Sequence, residues 1–428
     1  MENTLKRRDF LKYSGCLLLS SMGMVGNINI ARASSAKIVI VGGGFAGATC
    51  AHYLKKLDPS LSIVLIEPKS NYITCPYSNT VLANIKKMSH ITHDYSLLKK
   101  FGIQVIHDTI TDANLDKRTV QLASGDSLTY DKMVISPGIS FRWKEIEGID
   151  QSTTEKIPHA WQAGEQTKIL NNQIGDMREG GTVIISTPRE PYRAPPAPFE
   201  RASLIAYRLK KSNPSAKVLV ITSGTDHSEK LPLFKNAWKK HYGDIIEIIE
   251  GDDQGALAKV DVKGKAVSLK DGTVIKGDVL NVIPGQQAGL IAHKLNLVNE
   301  SGWCPINIES FQSQKFKNVH IIGDACIAGD MPKTAHSANS QAKACAVAII
   351  SELNNLVMPE TVYSSSIYSL ITPKYAISSS ALYRIKNKQL VKVSEGLSPI
   401  KASKKYRYKE ARFYEGWYKS IVADMKMS

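Results

Sequence analysis

The sequence lacks the short cysteine patterns that mark many metal and haem proteins. Its 428 residues include only six cysteines, and these form no C-x-x-C pair, no C-x-x-C-H haem-attachment motif and no Cys/His spacing typical of a metal site. No nucleic-acid-binding module accompanies its basic residues. These absences exclude a c-type haem on this chain, argue against a metal centre, and make nucleic acid an unfavoured partner.

Glycine is missing from the whole interval between Gly181 and Gly224. A predicted strand at 182–186, a helix near 200–210 and a strand at 216–222 form a β-α-β unit, but the turn after the first strand reads TPREPYRAPPAPFE, with five prolines. A nicotinamide dinucleotide needs glycines there, because proline removes both the backbone N–H and the freedom to approach a pyrophosphate. This unit is predicted to hold no nicotinamide, unless another part of the chain binds one.

Long apolar runs are also missing. The apolar segment at 13–25 is short and interrupted by Gly and Ser, so we expect no stable membrane insertion. It follows KRRDFLK at 6–12 and precedes the small-x-small sequence Ala31-Arg32-Ala33. The sequence therefore predicts a twin-arginine export signal over residues 1–33, cleaved after Ala33, and a periplasmic location, with a membrane anchor as the alternative.

The charge balance is strongly basic. Lys and Arg number 55 against 39 Asp and Glu, and removing the five bases and two acids of the predicted signal lowers the net charge from +16 to +13. Lysines cluster at 99–100, 210–211, 239–240 and 401–409. A basic face for an acidic protein partner or an anionic substrate is favoured over nucleic acid, although most of these lysines are expected to be solvated surface.

The strongest positive signal lies at 37–75. A β-branched strand at 37–41 is followed by glycines at the G-x-G-x-x-G positions, and a second strand at 63–66 ends in an acid suited to an adenosine ribose. The glycines permit a tight turn, a close approach to a pyrophosphate and close helix packing, and the helix N-terminus attracts the anion. A glycine-rich structural turn is the alternative. The predicted dinucleotide-binding residues here are Gly42, Gly44, Phe45, Ala46, Gly47 and Glu67.

Two later segments favour FAD over NAD. The sequence DKMVISPG at 131–138, containing Ser136 and Gly138, resembles the end of the first pass of an FAD domain in flavoproteins with two dinucleotide domains. NVHIIGDA at 318–325, with a helix at 337–353 behind it, matches the second FAD fingerprint, in which Gly323 and Asp324 approach the flavin's ribityl and phosphate region. Both occur at the expected separation.

The order of elements predicts an α/β fold with two Rossmann-like dinucleotide-binding domains, similar to glutathione reductase, and a small α+β C-terminal domain. We expect a discontinuous FAD domain over 34–150 and 285–355, the second Rossmann-like domain over 151–284 and the C-terminal domain over 356–428. Strands around 368–383 and a helix over 411–425 are expected in this last domain. It would cover the flavin or form an interface.

Five short motifs carry a family resemblance. They are NYITCPYSN at 71–79, PPAPFERAS at 195–203, GWCP at 302–305, SANSQ at 337–341 and WYKSIVAD at 417–424. Over essentially the whole mature chain the sequence resembles the flavoprotein subunits of flavocytochrome c sulfide dehydrogenases, relatives of sulfide:quinone reductases. The resemblance implies FAD joined to the sulfur of Cys75, sulfide as a small inorganic substrate and a c-type cytochrome partner. A buried structural role for Cys75 is the alternative.

The sequence departs from that family at its redox disulfide. The resemblance places the two cysteines of that disulfide at positions that here hold Ala194, just before Pro195, and Ile367, just before Tyr368. A persulfide route needs a sulfur leaving group, which neither side chain supplies. Cys304, Cys326 or Cys345 could substitute, but plain packing is favoured for them. The sequence therefore leaves the catalytic residues unassigned.

Three functions remain open. The first is oxidation of sulfide with electron transfer to a cytochrome, which suits a flavin because it takes electrons in pairs and releases them singly. The second keeps that chemistry with another reduced sulfur compound or a small organic donor. The third is a flavin-bearing electron carrier or accessory subunit without turnover of its own. A membrane quinone reductase is disfavoured because no amphipathic apolar C-terminal helix is evident.

Overall fold

A computed structural model describes residues 35–223, 230–250 and 257–426. The predicted export signal at 1–33 lies outside the described residues. No helix within those ranges is both long and apolar enough to cross a membrane.

The described chain alternates strands and helices. The strands are Lys37–Val41 (β1), Ser62–Ile66 (β2), Asn71–Ile73 (β3), Thr92–Asp94 (β4), Gln104–Ile106 (β5), Ile110–Asn114 (β6), Thr119–Leu122 (β7), Ser127–Thr129 (β8), Lys132–Ile135 (β9), Ile139–Phe141 (β10), Thr182–Ser186 (β11), Lys217–Thr222 (β12), Ile246–Glu250 (β13), Leu257–Asp261 (β14), Ala266–Leu269 (β15), Val274–Lys276 (β16), Val279–Val282 (β17), Gln286–Ala288 (β18), Val319–Ile321 (β19), Val362–Thr372 (β20), Tyr375–Lys386 (β21) and Gln389–Leu397 (β22). The helices are Phe45–Leu57 (α1), Ser78–Leu82 (α2), Ser96–Lys100 (α3), Glu165–Gly175 (α4), Ala197–Ser212 (α5), Leu231–His241 (α6), Leu290–Lys294 (α7), Ala335–Leu353 (α8) and Lys404–Lys426 (α9).

The first core is a parallel sheet in the order β19-β9-β1-β2-β5. Its strands are short runs rich in Val and Ile that are mostly buried, as expected where helices cover a parallel sheet. The register pairs Val41 with Ile66 and Ile135, and Ile135 with Ile321. Because these four residues end their strands, the segments that follow them converge at one carboxyl edge, where open α/β sheets bind ligands.

The second core is a parallel sheet in the order β13-β12-β11-β17, packed against α5. The strand predicted at 182–186 is β11, with the same bounds. The predicted helix and the next predicted strand correspond to α5 and β12. The predicted fold class of two Rossmann-like units is confirmed. Each parallel sheet also has a smaller antiparallel sheet inserted between two of its strands. The sheet β6-β7-β8 follows β5 and precedes β9, and the sheet β14-β15-β16 follows β13 and precedes β17.

The C-terminal part forms an antiparallel sheet, β20-β21-β22, with α9 packed on β21 and on α1. The predicted helix at 411–425 is present but begins earlier, at Lys404. It also has a buried apolar side, made by Ala411, Tyr414, Tyr418, Ile421, Val422 and Met425. The sequence indicated no amphipathic apolar C-terminal helix; α9 is a largely polar helix whose apolar side packs on the protein.

Strands β3 and β4 were not predicted. They pair Asn71 with Asp94 and Ile73 with Thr92. Each strand has three residues, too few for an alternating pattern to stand out. Their pairing sets the position of the loop that carries Cys75.

Candidate functional site

A cavity of about 350 Å³ opens at the carboxyl edge of the first sheet. All three parts of the fold line it, so it depends on the complete tertiary structure. The sequence-predicted residues that line it are Gly42, Gly44, Phe45, Ala46, Glu67, Cys75, Ser136, Gly138, Gly323 and Asp324. Their convergence identifies this cavity as the candidate dinucleotide site.

Two glycines shape the turn between β1 and α1. Gly42 has φ +96°, and a Cβ atom there would lie 2.4 Å from the carbonyl oxygen of Ser136. Gly47 is not among the lining residues of the cavity. A Cβ atom on Gly47 would lie 1.9 Å from the Gly42 carbonyl oxygen, so this glycine lets α1 pack closely on the turn. Its predicted part in cofactor binding is therefore indirect.

The start of α1 is open to an anion. Gly44 is the N-cap, and no side chain caps the first turn, which leaves backbone N–H groups directed at the cavity. Glu67 sits beside this turn at the end of β2. Its carboxylate accepts hydrogen bonds from the N–H groups of Gly43, at 2.9 Å, and Lys69, at 3.1 Å. These bonds fix the carboxylate where it can also accept from a ribose.

Asp324 presents an unsatisfied oxygen at the cavity. Its Oδ1 is buried and has no hydrogen-bond partner among the described residues, while its Oδ2 lies 3.8 Å from Nη1 of Arg193. Burial raises the pKa of Asp324, and the charges of Arg193 and Lys333 oppose that rise. A buried polar atom without a partner in a cavity wall is a group available to a ligand.

Cys75 lies on the loop after β3 with a half-buried thiol. The thiol donates to the carbonyl oxygen of Trp161 at 3.4 Å. The Cys75 carbonyl accepts from the backbone N–H of Ser78, at 3.0 Å, and from its hydroxyl, at 2.7 Å. The neighbouring Thr74 hydroxyl lies 2.8 Å from the Tyr418 hydroxyl of α9. The loop is held at both ends, so the sulfur has a defined position in the cavity wall.

The proline-rich loop of the second domain lines the same cavity. Arg193 donates its backbone N–H to Oε1 of Gln286 at 2.9 Å, and its guanidinium donates to the Trp161 carbonyl. Ala194 donates its backbone N–H to the Lys333 carbonyl at 2.8 Å. The loop that would bind a nicotinamide dinucleotide in a glycine-rich domain is instead fastened over the first domain's cavity.

Ala194 and Ile367 both face this cavity. The two positions that the family resemblance assigns to a redox disulfide are thus at the site but carry apolar side chains. Among the described residues that line the cavity, the sulfur atom belongs to Cys75.

A buried polar network surrounds the start of α5. The carboxylate of Glu200 accepts from Nδ2 of Asn79 and from the backbone N–H of Leu370, both at 2.9 Å. Arg201 donates to Oδ1 of Asn79 at 3.1 Å and to Oδ1 of Asn281 at 2.7 Å. Burial raises the pKa of Glu200 and lowers that of Arg201 to about 10. Because Glu200 also lines the cavity, its carboxyl group is positioned to exchange a proton there.

The C-terminal domain closes one side of the cavity. Tyr368 comes from β20, and Tyr414 and Trp417 come from α9. The rings of Tyr368 and Tyr414 stack with centroids 6.0 Å apart, and Tyr77 stacks on Tyr418 at 4.4 Å. The expectation that the tail covers the site fits this arrangement. The sequence did not assign roles to Trp161, Arg193, Glu200 or Tyr414. Arg193, Glu200 and Tyr414 lie in or near family-like motifs, whereas Trp161 lies near none of them.

The described residues fit an FAD molecule. The uncapped α1 N-terminus and Gly42 suit a pyrophosphate, Glu67 suits a ribose, and Asp324 offers an unpaired oxygen. A negatively charged ligand would also meet the half-buried cation of Arg193.

Comparison with known proteins identifies the family. Residues 36–174 match the pyridine nucleotide-disulphide oxidoreductase model, residues 167–284 match the central region of the sulfide dehydrogenase [flavocytochrome c] flavoprotein chain, and residues 359–425 match the flavin-binding region of flavocytochrome c sulphide dehydrogenase. The flavoprotein chain of sulfide dehydrogenase from Chlorobaculum thiosulfatiphilum is 60% identical over 45 residues, which cover 94% of that protein and 10% of this chain. This chain belongs to the sulfide dehydrogenase flavoprotein family.

More distant relatives share the fold. Mitochondrial sulfide:quinone oxidoreductase of Mus musculus is 21% identical over 326 residues, covering 71% of this chain and 68% of that protein. The solved structure of sulfide:quinone oxidoreductase from Aquifex aeolicus matches with a TM-score of 0.71 at 19% identity, covering 91% of this chain and 92% of that one. The family member described here is a flavoprotein oxidoreductase, and its cofactor is FAD.

Proposed function

We propose that this family member is an exported enzyme that oxidises sulfide at its flavin and passes the electrons to a c-type cytochrome. Relatives named sulfide dehydrogenase and sulfide:quinone oxidoreductase support sulfide as the donor. The proposal rests on the cavity that all three domains line, where Cys75 lies among the predicted dinucleotide-binding residues. Ala194 and Ile367 line the same cavity, at the two positions where the family resemblance places the cysteines of a redox disulfide. Electrons must then leave sulfide without thiol exchange on this chain.

The reaction balances with two cytochrome molecules. One HS⁻ ion gives zero-valent sulfur, one proton and two electrons, and each cytochrome haem takes one electron. FAD, when bound, accepts electrons as a pair and releases them singly.

The chain's own residues supply position and proton transfer. When FAD is bound, Cys75 would anchor it through its sulfur, Glu67 would hold the ribose, and Asp324 would contact the ribityl and phosphate region. Glu200 takes the proton released by HS⁻, because its buried carboxyl group lies at the cavity wall with a raised pKa. Tyr368 and Trp417 limit the access of water.

A cytochrome acceptor is favoured over a membrane quinone by the surface. The apolar side of α9 is buried against the protein, so this side is unavailable to lipid. The lysines at 99–100, 210–211 and 239–240 are exposed. Such a surface steers an acidic cytochrome by long-range attraction.

The acceptor is tested by steady-state turnover with sulfide. Purified protein is assayed with an acidic c-type cytochrome and, in parallel, with a soluble quinone. We expect reduction of the cytochrome, with a rate that falls as salt screens the lysines. Faster reduction of the quinone, with no dependence on salt, would contradict the proposed acceptor.

A second candidate function follows from the same cavity. Because Ala194 and Ile367 supply no sulfur, the chain is alternatively an electron-transfer or accessory subunit that acts on a different donor. Salt-sensitive binding of the cytochrome without turnover of sulfide would favour this candidate. A screen of other reduced sulfur compounds and small organic donors separates a changed substrate from a loss of turnover.

A further inference from the structure

Cys304 and Cys326 lie side by side behind the candidate site. They are the two partners of an isolated parallel β-bridge. Cys304 donates its backbone N–H to the Ala325 carbonyl and accepts at its own carbonyl from the N–H of Ile327, both at 2.9 Å. Adjacent strands lie about 4.8 Å apart, within the roughly 4.4–6.8 Å between Cα atoms that a disulfide spans. Backbone register therefore places this pair within bonding range.

Both side chains are buried thiols. Burial raises the pKa of each to about 12, the Cys326 thiol adds to the rise in the pKa of Cys304, and the nearby charge of Lys333 opposes the rise in both. Lys333 is fixed there because its Nζ donates to the carbonyl oxygens of Asp324, at 2.8 Å, and Cys326, at 2.9 Å. Neither cysteine is among the residues lining the flavin cavity, so the proposed reaction makes no use of them.

We propose that Cys304 and Cys326 form a disulfide in exchange with a low-molecular-weight disulfide of the glutathione type. The thiolate of one cysteine attacks the reagent disulfide, forming a mixed disulfide and releasing one thiol. The second cysteine then attacks the mixed disulfide and releases the other thiol. Two protein thiols and one reagent disulfide become one protein disulfide and two reagent thiols, and the two protons leave with the products.

The disulfide would connect to the flavin site through one hydrogen bond. The Cys326 thiol donates to the Gly323 carbonyl at 3.2 Å and lies 3.5 Å from Oε1 of Gln341. Oxidation removes this S–H donor, and Gly323 together with Asp324 lines the cavity. Gly323 keeps its own N–H bond to Oε1 of Gln341, at 2.8 Å, so the loop stays attached to α8. The pair is thus a modification site adjacent to the cofactor's wall.

A second cysteine contact provides a competing pairing. The thiols of Cys50, on α1, and Cys345, on α8, are hydrogen-bonded, and the charge of the Cys326 thiol also raises the pKa of Cys345. No β-bridge fixes the backbones of Cys50 and Cys345, which lie on separate helices. The sequence favoured plain packing for Cys304, Cys326 and Cys345, and the register of a β-bridge is not visible in the sequence. The β-bridge selects Cys304 with Cys326.

The test is disulfide mapping of the holoprotein. The protein is equilibrated in glutathione buffers from fully reduced to fully oxidised, with and without sub-denaturing urea, which raises the population of locally open forms. Denaturation, alkylation, proteolysis and mass spectrometry follow. We expect a linked peptide joining Cys304 and Cys326 in the oxidised buffers, with the loss of two alkyl groups. The readout requires neither sulfide nor cytochrome, so it is independent of the proposed function.

Three variants complete the test. Cys304→Ser and, separately, Cys326→Ser remove the linked peptide and leave the remaining cysteine alkylated, whereas Cys50→Ser retains the link. Complete alkylation of both cysteines in every buffer, with and without urea, would overturn the proposal. A peptide linking Cys326 to Cys345 would overturn it equally.

Discussion

The Cys75 thiol lies 3.4 Å from the Trp161 carbonyl oxygen, to which the Arg193 guanidinium also donates. One carbonyl thus connects the loop of the first domain to the proline-rich loop of the second. This contact holds the sulfur in the wall of the flavin cavity, where a covalent link to the cofactor requires it to be.

Cys75→Ser is expected to release the flavin on acid precipitation, because a hydroxyl cannot replace the proposed thioether. Wild-type protein should retain FAD on the peptide that contains Cys75, as measured by mass spectrometry. Cys50→Ser is the matched control, since Cys50 is buried in α1 and does not line the cavity. Free FAD in the wild-type supernatant would refute the link.

Glu200→Gln is expected to slow reduction of the flavin by sulfide by about 100-fold, at the lower end of general acid–base effects. The amide still accepts from the N–H of Leu370 but leaves Nδ2 of Asn79 without its acceptor, so the variant is also expected to lose about 1–3 kcal/mol of stability. The measurement is the pH dependence of the rapid-reaction rate. Because the pKa of Glu200 is raised, the rate of flavin reduction in the wild type should increase with pH as the carboxyl group ionises. The variant should lose this dependence. An unchanged pH profile would contradict the assigned role.

Asp424→Ala is expected to destabilise the fold by about 1–3 kcal/mol. The Asp424 carboxylate accepts from Nζ of Lys343 at 2.8 Å, Nδ2 of Asn339 at 3.0 Å and the Tyr53 hydroxyl at 3.1 Å, which ties α9 to α8 and α1. Thermal unfolding measures the loss. Glu360→Ala is the control, since its side chain, paired with Arg384, is 79% exposed and should cost little. Equal effects would contradict the anchoring role of Asp424.

Stability is expected to fall as the pH drops below about 6.5, the ordinary pKa of histidine. Burial lowers the pKa of His159 to about 3 and that of His336 to about 4. Nδ1 of each accepts a backbone N–H at 2.9 Å, from Trp161 and Ser366 respectively. Below pH 6.5 these histidines bind protons in the unfolded chain but stay neutral in the folded chain, so stability is lost between pH 6.5 and about 3. Denaturant unfolding across that range tests this, and His336→Gln should reduce the slope.

The sequence predicted those features that depend on local pattern. The strand and glycine spacing predicted the turn at Gly42 and Gly44 that lines the cavity. The absence of glycine after β11 predicted a loop unsuited to a nicotinamide dinucleotide, and this stays a prediction. Long-range contacts were not predictable from one sequence. Trp161 reaches Cys75 across 86 positions and Leu370 reaches Glu200 across 170, so these partners became visible only in the folded chain.

The central claim is that sulfide reduces the flavin without thiol exchange on the protein. Its most direct test is an anaerobic sulfide titration that follows the flavin's visible absorbance before and after treatment of the protein with an alkylating reagent. We predict complete bleaching in both samples, because Ala194 and Ile367 offer no thiol at the cavity. An unchanged flavin spectrum on addition of sulfide, or bleaching that alkylation abolishes, would contradict the account.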